Sequence, residues 1–367
     1  MKKRTEYIYT TVLAAVLIFG LSVWAVLKPA DEFSESERRP LDKLPELSIN
    51  SILSGKFMDD FEDYTNDQFP MRDFFRSIKA VTKYYIFGLS DNNELYIADG
   101  QIAKLEFPLD EKSLEYASER FWDIYNTYMD GKVNKVVFTV VPDKGFYLGE
   151  ENGYPVMDYA AMEEYFSENL SFAEYCKITE LLDASDYYAA DTHWQQQNIT
   201  AAANKILGAL DAKPFDDLTE KLATDKLHGV YYGQSALPLG YESIFYLTNP
   251  ELEEITVYNY ETGKTTGVYD FDKLESKDPY EFYLSGAASL LEVTNPNAEG
   301  ERHLIIFRDS FGSSLAPLLM NDYAKITIVD TRYIVPAILG EYVDFENADV
   351  LMAYSSLILN DAYMLKK

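Results

Sequence analysis

Asp191, His193 and Ser310 are an acid, a base and a nucleophile within one 367-residue chain. The first two lie in Asp191-Thr192-His193-Trp194. The third lies far along the chain, in Arg308-Asp309-Ser310-Phe311-Gly312. A serine hydroxyl attacks a carbonyl only when a neutral imidazole takes its proton, and the imidazole needs a carboxylate to hold its tautomer. Asp191 stands two residues before His193, and the only other histidines are His228 and His303. His303 opens the apolar run that leads to Ser310, so it sits a strand's length from the serine and is a poor base. His228 belongs to His228-Gly229-Val230-Tyr231-Tyr232-Gly233, which reads either as a loop lining a substrate or as an ordinary glycine-rich turn. Metal chemistry on Asp191 and His193 fits less well. Hydrolytic zinc sites use two or three histidines at recognisable spacing, and the sequence holds no His-Glu-x-x-His. Neither a metal nor another cofactor is expected.

The elements that must position these groups are legible nearby. His303-Leu304-Ile305-Ile306-Phe307 reads as a buried strand, and Ser313 to Leu319 reads as the start of a helix over 313–321. A serine at a strand-to-helix turn has its hydroxyl lifted off the sheet and its N–H beside a helix N-terminus. The backbone N–H of Ser310, with that of Phe311 or Gly312, would meet a developing oxyanion there. Pro317 is expected in the first turns, where a missing N–H costs least. Asp191 and His193 precede a helical pattern from Trp194 to Leu210. Arg308 is read either as pointing to the pocket or as a buried cation paired with a carboxylate. Lys144, Arg332 and Tyr333 follow strands at the same expected sheet edge and are candidates to line the pocket, because open α/β sheets bind ligands at the carboxyl ends of their strands.

Further out, Val136 to Val141 is continuous and β-branched, as in a parallel strand buried on both faces. Strands at 303–308, 325–329 and 349–354 alternate with helices at 313–321 and 333–341, which argues for a βαβ sheet covered on both faces. Helices are expected from Ser113 to Met129 and from Tyr159 to Leu182, and Phe57 to Tyr85 reads as two helices divided by Pro70. Asp99-Gly100 between two apolar runs signals a hairpin. Short β-like runs at 243–247, 254–258 and 266–271 suggest a β-rich insertion at about 225–285. Cys176, the single cysteine, reads as a small core residue on the helix ending at Leu182.

These segments resemble the DHHW protein family and, more distantly, the periplasmic alginate O-acetyltransferases of the SGNH-hydrolase superfamily. The resemblance runs from about residue 35 to the C-terminus. It includes Glu37-Arg38-Arg39-Pro40, Tyr64-Thr65-Asn66-Asp67-Gln68-Phe69-Pro70-Met71-Arg72-Asp73, Val140-Val141-Pro142-Asp143-Lys144 and Val329-Asp330-Thr331-Arg332-Tyr333. Thr192 stands where the family name has a second histidine. Arg308 stands where the superfamily has the glycine of Gly-Asp-Ser, and the glycine and asparagine blocks of its oxyanion hole are not evident. The resemblance implies an α/β, SGNH-hydrolase-like three-layer fold with a mostly parallel sheet. It also implies acetyl transfer through an acetyl-serine onto an exopolysaccharide or cell-wall glycan, the donor being delivered by a multi-pass membrane O-acyltransferase. A carbohydrate esterase with the same triad, and a non-catalytic glycan-binding or assembly protein, remain open alternatives.

Composition bounds the setting. The net charge of −29 excludes nucleic-acid binding, which needs a basic face. Met1-Lys2-Lys3-Arg4 precedes an apolar stretch from Tyr7 to Leu27, about the length a ~30 Å bilayer core requires. That length favours an uncleaved signal anchor over a cleaved signal peptide. The expected layout is a cytoplasmic tail at 1–6, a transmembrane anchor at 7–27, a tether and helical region at 28–85, and an extracytoplasmic catalytic domain at 86–367.

Overall fold

An eight-stranded sheet organises the computed structural model, which describes residues 2–367. Numbered along the chain, its strands are β1 (Lys135–Val141), β2 (Glu174–Tyr175), β3 (Thr256–Asn259), β4 (Lys264–Gly267), β5 (Leu290–Thr294), β6 (His303–Arg308), β7 (Lys325–Val329) and β8 (Asp349–Ser355). Their spatial order is β4-β3-β5-β7-β6-β8-β1-β2. From β7 to β2 every pairing is parallel, whereas β5, β3 and β4 extend the sheet antiparallel.

Strand side chains alternate between two faces, and here both faces are apolar. Val136, Phe138, Ile305, Phe307, Val350 and Met352 pack with Leu114, Phe121, Met162 and Phe166, from the helices Glu111–Ile124 and Tyr159–Asn169. Val137, Leu304, Ile306, Ile326 and Ile328 pack on the other face with Trp194 and with Ala202, Ala203, Ile206 and Leu207 of the helix Thr200–Ala209. The sheet is thus a layer between two layers. The continuous apolar runs of β1, β6, β7 and β8 follow from that burial on both sides.

Several local expectations give way to tertiary structure. The helix expected over 159–182 stops at Asn169. Beyond it the chain becomes edge strand β2, with Val137 opposite Glu174 and Phe138 opposite Tyr175. Cys176 lies just past that strand rather than on a helix, and it is buried. The helix expected from Trp194 begins only at Thr200, after a 3-10 turn at Gln196–Asn198. After Ser310 the α-helix spans only Gly312–Leu315, and Ala316–Leu319 tightens to 3-10 around Pro317, which supplies no N–H to an α-helical ladder. Residues 336–341 are likewise 3-10. The β-like runs of the expected insertion do not stand apart: β3 and β4 join the main sheet. Glu242–Thr248 pairs with Thr219–Leu227 as a separate ribbon. The Asp99-Gly100 hairpin forms as read, with φ of 48° and 79° at the two turn residues.

The chain divides into two compact units, Met1–Asn93 with Tyr232–Leu239 and Glu94–Tyr231 with Gly240–Lys367. The first contains the helix Lys2–Leu27, long and apolar enough from Arg4 to Leu27 to cross a membrane. The start of the expected tether and helical region at 28–85 contains an ordered hairpin, Phe33–Ser34 against Arg39–Pro40. Arg39 donates to both oxygens of Asp67, at 2.6 and 2.8 Å, and closes that hairpin onto the helix Lys56–Asp67. Pro70 separates that helix from Arg72–Val81, whose last turn widens to a π-helix at Thr82–Ile86.

Candidate active site

Ser310 follows β6 at the carboxyl edge of the sheet. Asp309 makes the turn: its Oδ1 accepts the Phe311 N–H at 3.0 Å, and its Oδ2 accepts the Ser355 N–H at the end of β8 at 2.7 Å. The Gly312 N–H donates to the Asp309 carbonyl at 3.1 Å. Of the amides considered for an oxyanion, those of Phe311 and Gly312 are therefore engaged in holding the turn. Gly312 lies against the Arg308 side chain, so close that a Cβ would approach it to 2.5 Å.

His193 reaches this turn from the loop 187–194. Its Nε2 lies 2.8 Å from Ser310 Oγ, and its Nδ1 lies 2.6 Å from Asp191 Oδ1. Asp191 Oδ1 also accepts the His193 N–H at 2.9 Å, and Oδ2 accepts the Val230 N–H at 2.7 Å. A fully buried carboxylate at Nδ1 assigns the proton to that nitrogen and leaves Nε2 with a lone pair toward the serine. The imidazole stacks on Tyr280, with ring centroids 3.9 Å apart and planes within 8°.

The loop is braced from several sides. Tyr188 N–H donates to His193 O across its neck, at 3.1 Å. Glu242 accepts the Ala189 and Ala190 amides at 2.6 and 2.8 Å. The Lys144 amine donates to the carbonyls of Tyr188 and Ala189 at 2.8 and 3.1 Å. Trp194 joins the two motifs directly: its indole N–H donates to Phe311 O at 3.2 Å and to Ser314 Oγ at 2.9 Å. Ser314 Oγ also meets the Tyr280 hydroxyl at 2.8 Å. Gln196 donates to Ser314 O and accepts from Leu247 N–H and the Tyr269 hydroxyl. Glu242, Trp194, Gln196, Tyr280 and Ser314 were not read from the sequence as site residues. Only Trp194 carried a signal, its adjacency to His193.

The remaining sequence candidates take other places. Arg308 is fully buried beneath the turn. It donates to Ser313 Oγ, Asp309 O and Gly286 O, and its Nε has no hydrogen-bond partner among the described residues. Its carboxylate partner, Asp330, is 4.0 Å away and also accepts three hydrogen bonds from Arg332, one from the backbone N–H and two from the guanidinium. Tyr333 is 54% exposed beneath the Arg332 guanidinium. His228 stacks on Tyr241, with centroids 3.8 Å apart. Thr192, at the family's second-histidine position, accepts from the Tyr231 hydroxyl at 3.2 Å. His303 bonds Thr327 at the far end of β6, and burial pushes it down to about 4.

Burial pushes Lys144 down to about 7, against the opposing pull of Asp191, Glu242 and Asp143. Between about pH 7 and its ordinary 10.5, the unfolded chain holds this proton and the folded chain does not. Stability from this group therefore rises with pH across that window, and the cost of the buried charge is fully present below it. Lys144→Met removes the titration. The unfolding free energy of the wild type minus that of Lys144→Met should rise by a few kcal/mol, at ~1.4 kcal/mol per unit, from pH 7 to 10. Denaturant titrations of both chains across that range measure it, and parallel curves would refute the buried-amine account.

No protein-family model and no curated protein matches the sequence. Among solved structures, the fold matches a DHHW family protein from Eubacterium siraeum with a TM-score of 0.60 and 16% identity, over 75% of this chain and 95% of that one. It also matches Bacillus cereus PatB1 carrying a sulfonyl adduct, with a TM-score of 0.58 and 18% identity, over 74% of this chain and 98% of that one. The resemblance to the DHHW family carried by the sequence motifs thus has a counterpart in a shared fold.

Proposed function

We propose that this chain is a serine-dependent O-acyltransferase that moves acetyl groups onto hydroxyls of an exopolysaccharide or cell-wall glycan. The observation that carries the reading is the hydrogen-bonded line from Asp191 through His193 to Ser310. The fold shared with a DHHW family protein, and with a PatB1 structure that holds a sulfonyl adduct, supports it. So does the resemblance of the motifs to the alginate O-acetyltransferases.

Ser310 Oγ attacks the acetyl carbonyl as His193 Nε2 takes its proton, and Asp191 stabilises the imidazolium through Nδ1–H. The tetrahedral oxyanion is met by the Ser310 N–H, since the neighbouring amides hold the turn. Collapse expels the donor's leaving group, which takes the proton from His193. A sugar hydroxyl then gives its proton to His193 and attacks the acetyl-serine. The new ester leaves, and the proton returns to Ser310. A multi-pass membrane acyltransferase supplies the acetyl donor. Residues Arg4–Leu27 anchor the chain in the membrane, with the basic N-terminus inside and the catalytic unit outside.

The test is incubation of the purified full chain with an activated acetyl ester, with and without an acceptor oligosaccharide. Mass spectrometry should find acetyl on Ser310, and the acceptor should gain acetyl groups at the expense of free acetate. Acetate release unchanged by the acceptor would make the chain an esterase. Absence of both acetyl-serine and acetylated acceptor would leave a non-catalytic glycan-binding role.

A further inference from the structure

The helix Arg72–Val81 and the π turn Thr82–Ile86 have their amphipathicity turned inside out. At 3.6 residues per turn, Phe74, Phe75 and Ile78 share one side of Arg72–Val81, and Tyr85 and Ile86 of the π turn continue the exposed apolar run. That side is exposed: Phe74 is 53%, Ile78 46% and Tyr85 68% accessible. The side turned to the rest of its unit is polar or small. Arg76 donates to the carbonyls of Gly233 and Gln234, Ser77 donates to that of Ala236 at 2.7 Å, and Ala80 is fully buried. A helix that only needed to fold onto its own unit would bury the apolar stripe instead.

The start of this stripe is tied to the end of the apolar N-terminal helix. Asp31 N–H donates to Gln68 Oε1 at 2.8 Å, and Gln68 Nε2 donates back to Asp31 O at 2.9 Å. Trp24 and Lys28 share the lining of one cavity, of about 450 Å³, with Phe69, Pro70, Met71 and Phe74. An exposed aromatic and aliphatic stripe therefore begins where the Lys2–Leu27 helix ends. Lys79, and Lys83 on the π turn, lie to one side of it, in a segment, Arg72 to Ile86, where basic residues outnumber acidic ones. Aromatic rings with flanking lysines suit the boundary between acyl chains and phosphate headgroups.

We propose that residues 72–86 lie in the lipid–water interface of the same membrane that Arg4–Leu27 crosses, with Phe74, Phe75, Ile78 and Tyr85 in the acyl boundary. The proposal rests on the reading of Arg4–Leu27 as a membrane span. Two elements then hold the chain at the bilayer, and the second fixes its first unit against the surface instead of leaving it to swing on a tether.

The test uses the full chain with Cys176→Ala, carrying Ile78→Cys or Val16→Cys, each labelled with an environment-sensitive fluorophore and reconstituted in phosphatidylglycerol/phosphatidylcholine vesicles. Lipids bearing a nitroxide high on the acyl chain should quench the Ile78→Cys label at least about twofold, as expected for a helix ~5–10 Å into the boundary, and aqueous iodide should barely touch it. Quenching by iodide and not by lipid, with the Val16→Cys label quenched by lipid, overturns the interfacial helix and leaves the span standing. Protection from both quenchers also overturns it, since a second copy of the chain would then cover the stripe. If the Val16→Cys label escapes the lipid quencher, the span reading fails. The Ile78→Cys label then judges the helix alone: lipid quenching sustains it and its absence overturns it.

Discussion

Ser310→Ala is expected to abolish acetyl transfer while the chain stays folded. Ser310 is half-buried at the turn after β6, and its Oγ bonds His193 Nε2 at 2.8 Å. Removing one oxygen takes away no core volume, and the lost hydrogen bond is worth about 1 kcal/mol. The turn itself depends on Asp309, whose carboxylate holds Phe311 and Ser355, and not on the serine hydroxyl. The chemistry suffers far more, because the covalent route disappears; losses of roughly 10⁴- to 10⁶-fold in rate accompany such changes. His193→Ala should be nearly as damaging and the double variant little worse, because the two act as one unit. Acetyl-serine formation and acceptor acetylation measure the first part, and thermal unfolding the second. Wild-type transfer by Ser310→Ala would refute the acetyl-serine route. A large fall in melting temperature would show that the serine is structural.

Gly229→Ala is the second change of large expected effect, and it touches none of the reacting groups. A Cβ at Gly229 would stand 2.2 Å from Ala190 O and 2.5 Å from Asp191 Cβ. The loop has little room to yield. Glu242 holds the Ala190 amide, and the residue after Gly229 donates its own N–H to Asp191 Oδ2. Either the His228–Val230 segment or the Asp191 loop must move, and both displace the carboxylate that orients His193. Overpacking of this kind costs about 1–3 kcal/mol. A shift near 1 Å at the triad costs roughly 100-fold in rate. Gly208 is the control: nothing lies within 4 Å of its Cβ position, so Gly208→Ala in the Thr200–Ala209 helix should be neutral or stabilising by up to about 1 kcal/mol. Full activity and an unchanged melting temperature in Gly229→Ala would show that the loop is not held as tightly as these contacts require.

The glycine-rich segment around Gly229 illustrates why part of the site was legible and part was not. From the sequence it reads equally as a substrate loop or a turn. The structure uses it as a close backbone neighbour of Asp191, with Val230 N–H capping the carboxylate. No local pattern distinguishes those uses, because the partner is some forty residues earlier in the chain. The same holds for Glu242, which receives two loop amides, and for Tyr280, which stacks on the imidazole from a stretch that reads only as β-rich. Lys144 was placed by the sequence at the correct strand end, yet its burial and its two carbonyl partners depend on a loop contributed from elsewhere. Arg308 flanks the serine in sequence, and only the closure of Gly312 and Gly286 around it makes it a buried cation beneath the turn.

The features legible in the sequence are those whose cause is local. Continuous β-branched and apolar runs produce parallel strands because both faces of such a strand must be apolar, and β1, β6, β7 and β8 fall where those runs lie. Asp99-Gly100 produces a hairpin because both residues tolerate the left-handed conformation that a tight turn demands. Asp191 bonds the His193 N–H and ring because two residues of chain keep them together. Tertiary structure, against local propensity, ends at Asn169 the helix expected to run to Leu182. Pairing with β1 and burial of the Cys176 side chain outweigh a helical propensity worth tenths of a kcal/mol per residue. It also decided that His193 meets Ser310, since the distance between residues 117 apart is set by the packing of the layers and by Trp194 across them, and by nothing either segment contains alone.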